Sequence, residues 1–281
     1  MTPEIFDFFA KFLKERSGLS LQKEKQYLLE NRLSSVMRSH DIADHKALFD
    51  MVRSDPNGTL AGDVIESMSV TETSFFRDGK PFDLFLKRAL PEILDNRPVG
   101  RPIRIWSAAS SSGQEAYTLA ILCRENADLL AGHKLEITAT DISTQVLEKA
   151  KAGIYSQFEV QRGMPVKMLL KYFDQAGELW KLKPEIKSMV EFQPFNLMSP
   201  FIGMPQYDII LCRNVLIYFN VDIKKAVLEK MHTVMAPDGF LMLGGAETVV
   251  GVCDKFTVDQ QDRTIFRTDK HAAAVKQVLS A

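Results

Sequence analysis

The chain has 281 residues, of which 46% are hydrophobic and 25% charged, and its formal net charge is −1. This composition is typical of a globular protein, and the near-zero charge argues against nucleic-acid binding by the protein surface as a whole. The three widely spaced cysteines fit neither a disulfide framework nor a zinc site. Because no signal peptide and no apolar run of about 20 residues is recognisable, we expect a cytoplasmic protein without membrane insertion. Since no zinc spacing is present, we also expect no metal.

The first third of the chain has the pattern of helices. Thr2 and Pro3 form an N-cap and a first-turn proline, and Gly18 is suited to end the first helix. Apolar periodicity predicts further helices over residues 21–39, 46–53 and 59–68. We therefore expect a small N-terminal all-helical domain over residues 1–70.

Strand-like and helical stretches alternate after a helix that begins at Pro81. Strands are predicted at 103–107, 135–140, 190–195, 209–212 and 240–243, with helices from Gln114, from Thr144 and over 221–235. This alternation is typical of an α/β fold, a doubly wound parallel sheet with helices on both faces, here over residues 71–281. Residues 155–190 interrupt it and predict an inserted β-subdomain, with a helix over 166–173 and a β excursion at 179–182. Residues 256–258 and 264–266 predict an antiparallel hairpin at the sheet edge.

Ligands of doubly wound sheets bind beyond the carboxyl ends of the strands, so the residues there are candidates for a site. Small side chains over residues 107–113 follow the first predicted strand and would let a ligand approach the backbone and the next helix. Glu115 would repel a pyrophosphate but accept hydrogen bonds from an ammonium group. A polar strand-to-helix turn would explain the same residues.

The next three strand ends carry further polar groups. Asp141, about 30 residues beyond the first loop, can accept both hydroxyls of a ribose, or can simply cap the next helix. Asn196 and Leu197 could present an amide and an apolar edge to an adenine ring. Arg213 and Asn214 interrupt an apolar run, which suggests a strand end facing a pocket. Suitable groups at four consecutive strand ends favour a ligand site over turn polarity.

Five segments resemble the CheR family of chemotaxis receptor methyltransferases. They are TETSFFRD at 71–78, WSAASSSGQEAY at 106–117, ATDIS at 139–143, RNVLIYF at 213–219, and MAPDGFL at 235–241 with GGAE at 244–247. They follow the family's order over nearly the whole chain. The resemblance implies a Rossmann-like S-adenosylmethionine methyltransferase domain with the N-terminal helical domain and inserted β-subdomain. It also implies methyl transfer from S-adenosylmethionine to receptor glutamates, with S-adenosylhomocysteine as the product.

The resemblance further implies roles for individual residues. Thr71, Thr73 and Arg77 would line the cofactor from the link between the domains, although the family often has asparagine in place of Thr71. Glu115 would hold the methionine end of the cofactor, and Asp141 would bind the ribose. The adenosyl and methionyl parts would be bordered by Asn196, Leu197, Arg213 and Asn214.

Arg77 and Tyr218 are the predicted catalytic residues. Methyl transfer from a sulfonium to a carboxylate is an in-line displacement, and a glutamate with a reference pKa of about 4.3 is already ionised at neutral pH, so no general base is needed. Arg77 could hold the carboxylate of either the cofactor or the substrate. Tyr218 could donate a hydrogen bond to the acceptor, or could be a core aromatic residue beside Phe219.

The expected partner is the cytoplasmic helical region of methyl-accepting chemotaxis receptors, bound by a monomer. Lys25, Arg32 and Arg38 could dock on acidic receptor helices, or could simply be solvated, since Glu24 and Glu30 share that stretch. The resemblance also implies that the β-subdomain can bind a receptor's C-terminal peptide by strand addition. This insertion looks short and glycine-poor beside that of the tethering type, which favours an enzyme that needs no peptide tether. The rival hypothesis is a non-catalytic, cofactor-gated receptor-binding module. A Rossmann oxidoreductase is disfavoured, because the second and third glycines of its fingerprint are missing.

Overall fold

The structure, a computed structural model, describes residues 1–130, 132–260 and 262–269. Residues 270–281 of the predicted second domain lie outside the described residues. The described helices are α1 (Pro3–Ser17), α2 (Gln26–Ser39), α3 (His45–Ser54), α4 (Thr59–Met68), α5 (Lys80–Leu84), α6 (Leu90–Asn96), α7 (Gln114–Glu125), α8 (Thr144–Ala152), α9 (Gln157–Gln161), α10 (Val166–Tyr172), α11 (Pro184–Lys187) and α12 (Val221–Thr233). The described strands are β1 (Ile103–Ala108), β2 (Leu135–Asp141), β3 (Ile154–Ser156), β4 (Phe173–Ala176), β5 (Leu179–Leu182), β6 (Val190–Pro194), β7 (Tyr207–Cys212), β8 (Met235–Leu243), β9 (Phe256–Val258) and β10 (Ile265–Thr268).

Helices α1 to α4 and the loops between them pack around an apolar core of their own, and we call this part of the chain the helical unit. The predicted ends of α1 are confirmed: the Thr2 side chain accepts a hydrogen bond from the backbone of Ile5, and Gly18 ends the helix in the left-handed region at φ 79°. The second helix was predicted to start too early. Residues Lys23–Lys25 form a 3-10 turn without a buried side chain, so no packing extends α2 in front of Gln26.

The remaining chain builds a seven-stranded sheet in the order β6-β2-β1-β7-β8-β10-β9. The first five strands are parallel, and β10 is antiparallel to both of its neighbours. The predicted α/β fold and the edge hairpin are therefore confirmed. Strand order reverses between β1 and β7, so the loops after these two strands diverge and leave a crevice at the carboxyl edge.

Side chains of the central strands alternate between two buried cores, one on each face of the sheet. Ile105 and Ile209 belong to one core, and Trp106 and Ile210 to the other. Burial on both faces explains why these strands are almost continuously apolar in sequence. The start of β8 was predicted wrongly, at residue 240. The pairing with β7 shifts between Tyr207 and Ile209, and this irregularity accommodates Pro237 within the strand, so β8 begins at Met235.

The insertion is an antiparallel sheet in the order β3-β5-β4. The predicted strand at 179–182 is present, but two further strands were missed, and Phe173 belongs to β4 rather than to the preceding helix. Phe75 packs edge-on against Tyr155 and Phe173 of this sheet, with ring centroids 5.0 and 5.6 Å apart. The insertion therefore rests against the segment that follows the helical unit. Within the described part of the chain, no helix has the length and apolarity needed to cross a membrane.

Candidate functional site

A cleft with an empty volume of about 1050 Å³, which includes open solvent, lies at the carboxyl edge of the sheet. The helical unit forms its opposite wall through Ser17, Leu19, Ile65 and Met68. The two parts are joined by hydrogen bonds, among them Ser20 N–H to the Tyr218 carbonyl at 3.1 Å. A concave site between two structural units is the usual setting for a small ligand.

The loop after β1 is held in a strained shape. Ala109 and Ser111 both lie in the left-handed region, with φ of 57° and 50°. The Ser111 N–H donates to Asp141 at 2.8 Å, and the Tyr155 hydroxyl of the insertion donates to the Ser112 carbonyl at 2.8 Å. Non-glycine residues persist in this region only when their surroundings hold them there, and such strain clusters at functional sites. The loop is therefore preorganised from both sides.

Asp141 lies at the end of β2 and is almost fully buried in the cleft. Its two carboxylate oxygens accept hydrogen bonds from the backbone of Ser111 at 2.8 Å and of Ser143 at 3.0 Å. Burial raises the pKa of the Asp141 carboxyl, and these two hydrogen bonds oppose the rise. The alternative of a helix cap is wrong, because Ser143 is the N-cap of α8. Each oxygen keeps a lone pair that can accept from a ligand hydroxyl.

Glu115 and Arg213 form a buried ion pair that sequence analysis did not anticipate. Arg213 Nη1 donates to Glu115 Oε2 at 2.8 Å, and Nη2 donates to the Asp78 carboxylate at 2.7 Å and to the Arg77 carbonyl at 2.9 Å. The other oxygen of Glu115 accepts from the Ser107 hydroxyl at 2.8 Å. Arg213 therefore orients Glu115 and fixes the end of segment 71–78 at the same time.

Segment 71–78 follows the helical unit in the chain and lines the cleft with Glu72, Thr73 and Arg77. Phe76 and Asp78, which flank Arg77, lie in the left-handed region with φ of 51° and 68°. Arg77 lines the cleft half-buried, and its guanidinium donates to the Glu72 carbonyl at 3.0 Å. Thr71 is exposed and does not line the cleft; its carbonyl accepts from the hydroxyl of the loop residue Ser111 at 2.6 Å.

The cleft brings together the other predicted residues: Thr73, Arg77, Glu115, Asp141, Asn196, Leu197, Arg213, Asn214 and Tyr218. Asn196 differs from expectation in its contacts. Its side-chain N–H donates to the Arg16 carbonyl of the helical unit at 2.6 Å, and its side-chain oxygen accepts from the Met198 backbone at 2.9 Å. The Asn196 amide thus joins the two parts of the protein. Tyr218 is half-buried, whereas Phe219 is buried.

Sequence analysis missed one residue that lines the cleft and one that supports it. Ser110 is buried, and its hydroxyl has no hydrogen-bond partner among the residues that the structure describes. Since buried polar groups are rarely left unsatisfied, this hydroxyl is suited to a ligand in the cleft that it lines. The Glu247 carboxylate accepts hydrogen bonds from the backbone N–H groups of Asn214 and Val215 in the loop after β7. Both residues lie in segments with a family resemblance, but only their contacts distinguish them from their neighbours.

Comparison with known proteins assigns the family. Residues 71–265 match the family described as "CheR methyltransferase, SAM binding domain", and residues 4–68 match "CheR methyltransferase, all-alpha domain". A chemotaxis protein methyltransferase of Vibrio anguillarum is 40% identical over 88% of the chain and 90% of its own length. Chemotaxis protein methyltransferase Cher2 of Pseudomonas putida is 37% identical over 91% of the chain and 94% of its own length. The two family matches together span the helical unit, the cleft and nearly all of the sheet, and the chain belongs to the CheR methyltransferase family.

Proposed function

We propose that this chain transfers the methyl group of S-adenosylmethionine to glutamate side chains of chemotaxis receptors, which yields glutamyl methyl esters and S-adenosylhomocysteine. The observation that carries the proposal is the pair of buried carboxylates, Glu115 and Asp141, in one cleft of a CheR-family chain. Residues 1–70 and 71–281 would act as two domains that enclose the reaction between them.

The cleft suits S-adenosylmethionine better than a dinucleotide. Glu115, already turned towards the cleft by Arg213, can accept from the ammonium group of the methionyl part, whereas a pyrophosphate would be repelled there. Asp141 can accept from the ribose hydroxyls, and the Ser110 hydroxyl, which has no partner among the described residues, can bind a polar atom of the ligand. Leu197 offers an apolar edge to the adenine ring.

The chemistry needs alignment rather than an acid or a base. S-adenosylmethionine supplies a methyl group on a positively charged sulfur, and the acceptor carboxylate is ionised at neutral pH. Arg77 would bind a carboxylate in the cleft, and Tyr218 would donate a hydrogen bond to the acceptor. The helical unit, bonded to the Tyr218 carbonyl through Ser20, would exclude water and so remove part of the acceptor's hydration. Because the leaving group is a neutral thioether, we expect a chelator of divalent metals to leave the rate unchanged.

The receptor would reach the cleft from the cytoplasm, with a monomer as the active form. Lys25, Arg32 and Arg38 are exposed, which supports docking on acidic receptor helices, although Glu24 and Glu30 lie nearby. The β4–β5 turn contains only Gly177 and Glu178, so the insertion is compact, and we expect transfer without a receptor peptide tether.

The test is transfer of labelled methyl from S-adenosylmethionine to receptor cytoplasmic fragments, with glutamate-to-alanine fragments as controls. We expect base-labile label that the controls lack, and a severe loss of transfer in a folded Arg77→Ala variant. Tight cofactor binding without label on any fragment would instead support the non-catalytic module. Near-normal transfer by the Arg77→Ala variant would remove Arg77 from its proposed role.

A further inference from the structure

Glu247 follows β8 and places a single buried carboxylate between two backbone loops. Its Oε2 accepts from the N–H groups of Asn214 and Gly244, both at 2.8 Å. Its Oε1 accepts from the N–H groups of Val215 at 3.0 Å and Ile217 at 3.2 Å. One side chain therefore ties the turn after β8 to the loop after β7 through both of its oxygens, and three of these donors lie in the β7 loop.

The two loops that Glu247 joins are strained and closely packed. Asn214 lies in the left-handed region at φ 60°, a conformation that a non-glycine residue adopts only when it is held there. Strands β7 and β8 are parallel neighbours with Cys212 opposite Leu243, so their loops leave the sheet side by side. A Cβ on Gly244 would lie 2.8 Å from Glu247 Oε2 and 3.0 Å from the Asn214 nitrogen, so the loops approach as closely as glycine permits.

The loop held by Glu247 carries two residues of the cleft. Asn214 lines the cleft directly, and Tyr218 ends the 3-10 turn Leu216–Tyr218, whose Ile217 N–H is bonded to Glu247. Glu247 itself does not line the cleft. Within the described part of the chain, its side-chain hydrogen bonds all come from backbone N–H groups, three of them in the loop that carries Asn214 and Tyr218.

We infer that Glu247 is a positioning residue, which sets where Asn214 stands towards the cofactor and where Tyr218 stands towards the acceptor carboxylate. The inference rests on the proposed methyl transfer. A carboxylate is required because both of its oxygens only accept, whereas the amide of glutamine would direct N–H donors at two of the four backbone N–H groups.

The test compares Glu247→Gln with Asp208→Asn. Asp208 is a matched control, because it lies at the opposite end of β7, is also buried, and also accepts from a backbone N–H, that of Arg104 at 2.9 Å. Four quantities are measured well below the unfolding temperature of each variant. They are kcat and KM for receptor fragments, the Kd for S-adenosylhomocysteine, and hydrogen exchange of the amides at 214, 215, 217 and 244.

For Glu247→Gln we expect kcat to fall by roughly tenfold to a hundredfold and the Kd to rise by about tenfold, with faster exchange at these amides. Asp208→Asn should lower the unfolding temperature but leave kcat and Kd within about twofold of wild type. If Glu247→Gln fails to fold, Glu247→Asp takes its place. Aspartate keeps the charge but is too short to bridge both loops, so this variant should show the same losses to a smaller degree.

The inference is overturned if the Glu247 variants keep kcat and Kd at wild-type values and differ only in unfolding temperature. Failure of the proposed function would look different, since wild-type protein would then transfer no methyl. In that case the Kd and the amide exchange still decide: an unchanged Kd for Glu247→Gln would overturn the positioning role, and a weakened one would support it.

Discussion

Replacing Arg213 by methionine should lower the free energy of unfolding by about 4 kcal/mol. The Arg213 side chain is 1% exposed and that of its partner Glu115 is 11% exposed, so the variant leaves a buried carboxylate without its cation, at a cost of about 3–5 kcal/mol. Asp78 is 53% exposed, and loss of that second pair adds at most about 1 kcal/mol. Methionine retains apolar contact with Phe82, whose ring centroid lies 5.5 Å from the guanidinium carbon. Because these contributions are not additive, the expected loss is set by the larger one, the cost of leaving the Glu115 charge uncompensated.

Urea denaturation measures this loss, and Arg162→Met provides the control. Arg162 pairs with Glu72 at 2.7 Å, but both side chains are exposed, so its replacement should change stability by less than about 1 kcal/mol. Adding Glu115→Gln to Arg213→Met removes the uncompensated charge and should restore about 2 kcal/mol. A loss below about 1 kcal/mol for Arg213→Met would refute the conclusion that a buried ion pair orients Glu115.

Three further changes test the cleft and its support. Burial raises the pKa of Asp141, so affinity for S-adenosylhomocysteine should fall as the pH decreases through that pKa, because protonation removes an acceptor for the ribose hydroxyls. Asp141→Asn should bind weakly with no such pH dependence in calorimetry, and a retained acid transition would assign it to another group. Gly163→Ala should cost about 3 kcal/mol, since the added Cβ would lie 2.0 Å from the Phe75 carbonyl oxygen. Gly177 is also at positive φ but has none of the described residues within 4 Å of an added Cβ, so Gly177→Ala should cost about 1 kcal/mol. Equal losses in urea denaturation would contradict this packing. Ser110→Ala should weaken binding by roughly tenfold without loss of stability, because the hydroxyl has no partner among the described residues, and unchanged affinity would exclude it from the site.

Local sequence was sufficient for much of the architecture. Thr2 and Gly18 cap α1 as predicted, and α4 has the predicted bounds, because caps and helical periodicity depend on residues within a few positions of each other. The alternation of strands and helices indicated the parallel sheet. Since its ligands bind beyond strand ends, the residues after each strand could be named, and Asp141 and Asn214 indeed line one cleft.

Tertiary structure alone decided which of those residues contact one another. Glu115 and Arg213 are 98 positions apart, and they form an ion pair because β1 and β7 are neighbours in the sheet. Glu247 finds its backbone donors about 30 positions earlier because β7 lies beside β8. The irregular pairing near the start of β8, which begins at Met235, likewise depends on the partner strand β7. Local propensity does not encode strand order and register, which are set when the two apolar faces of the sheet are buried together.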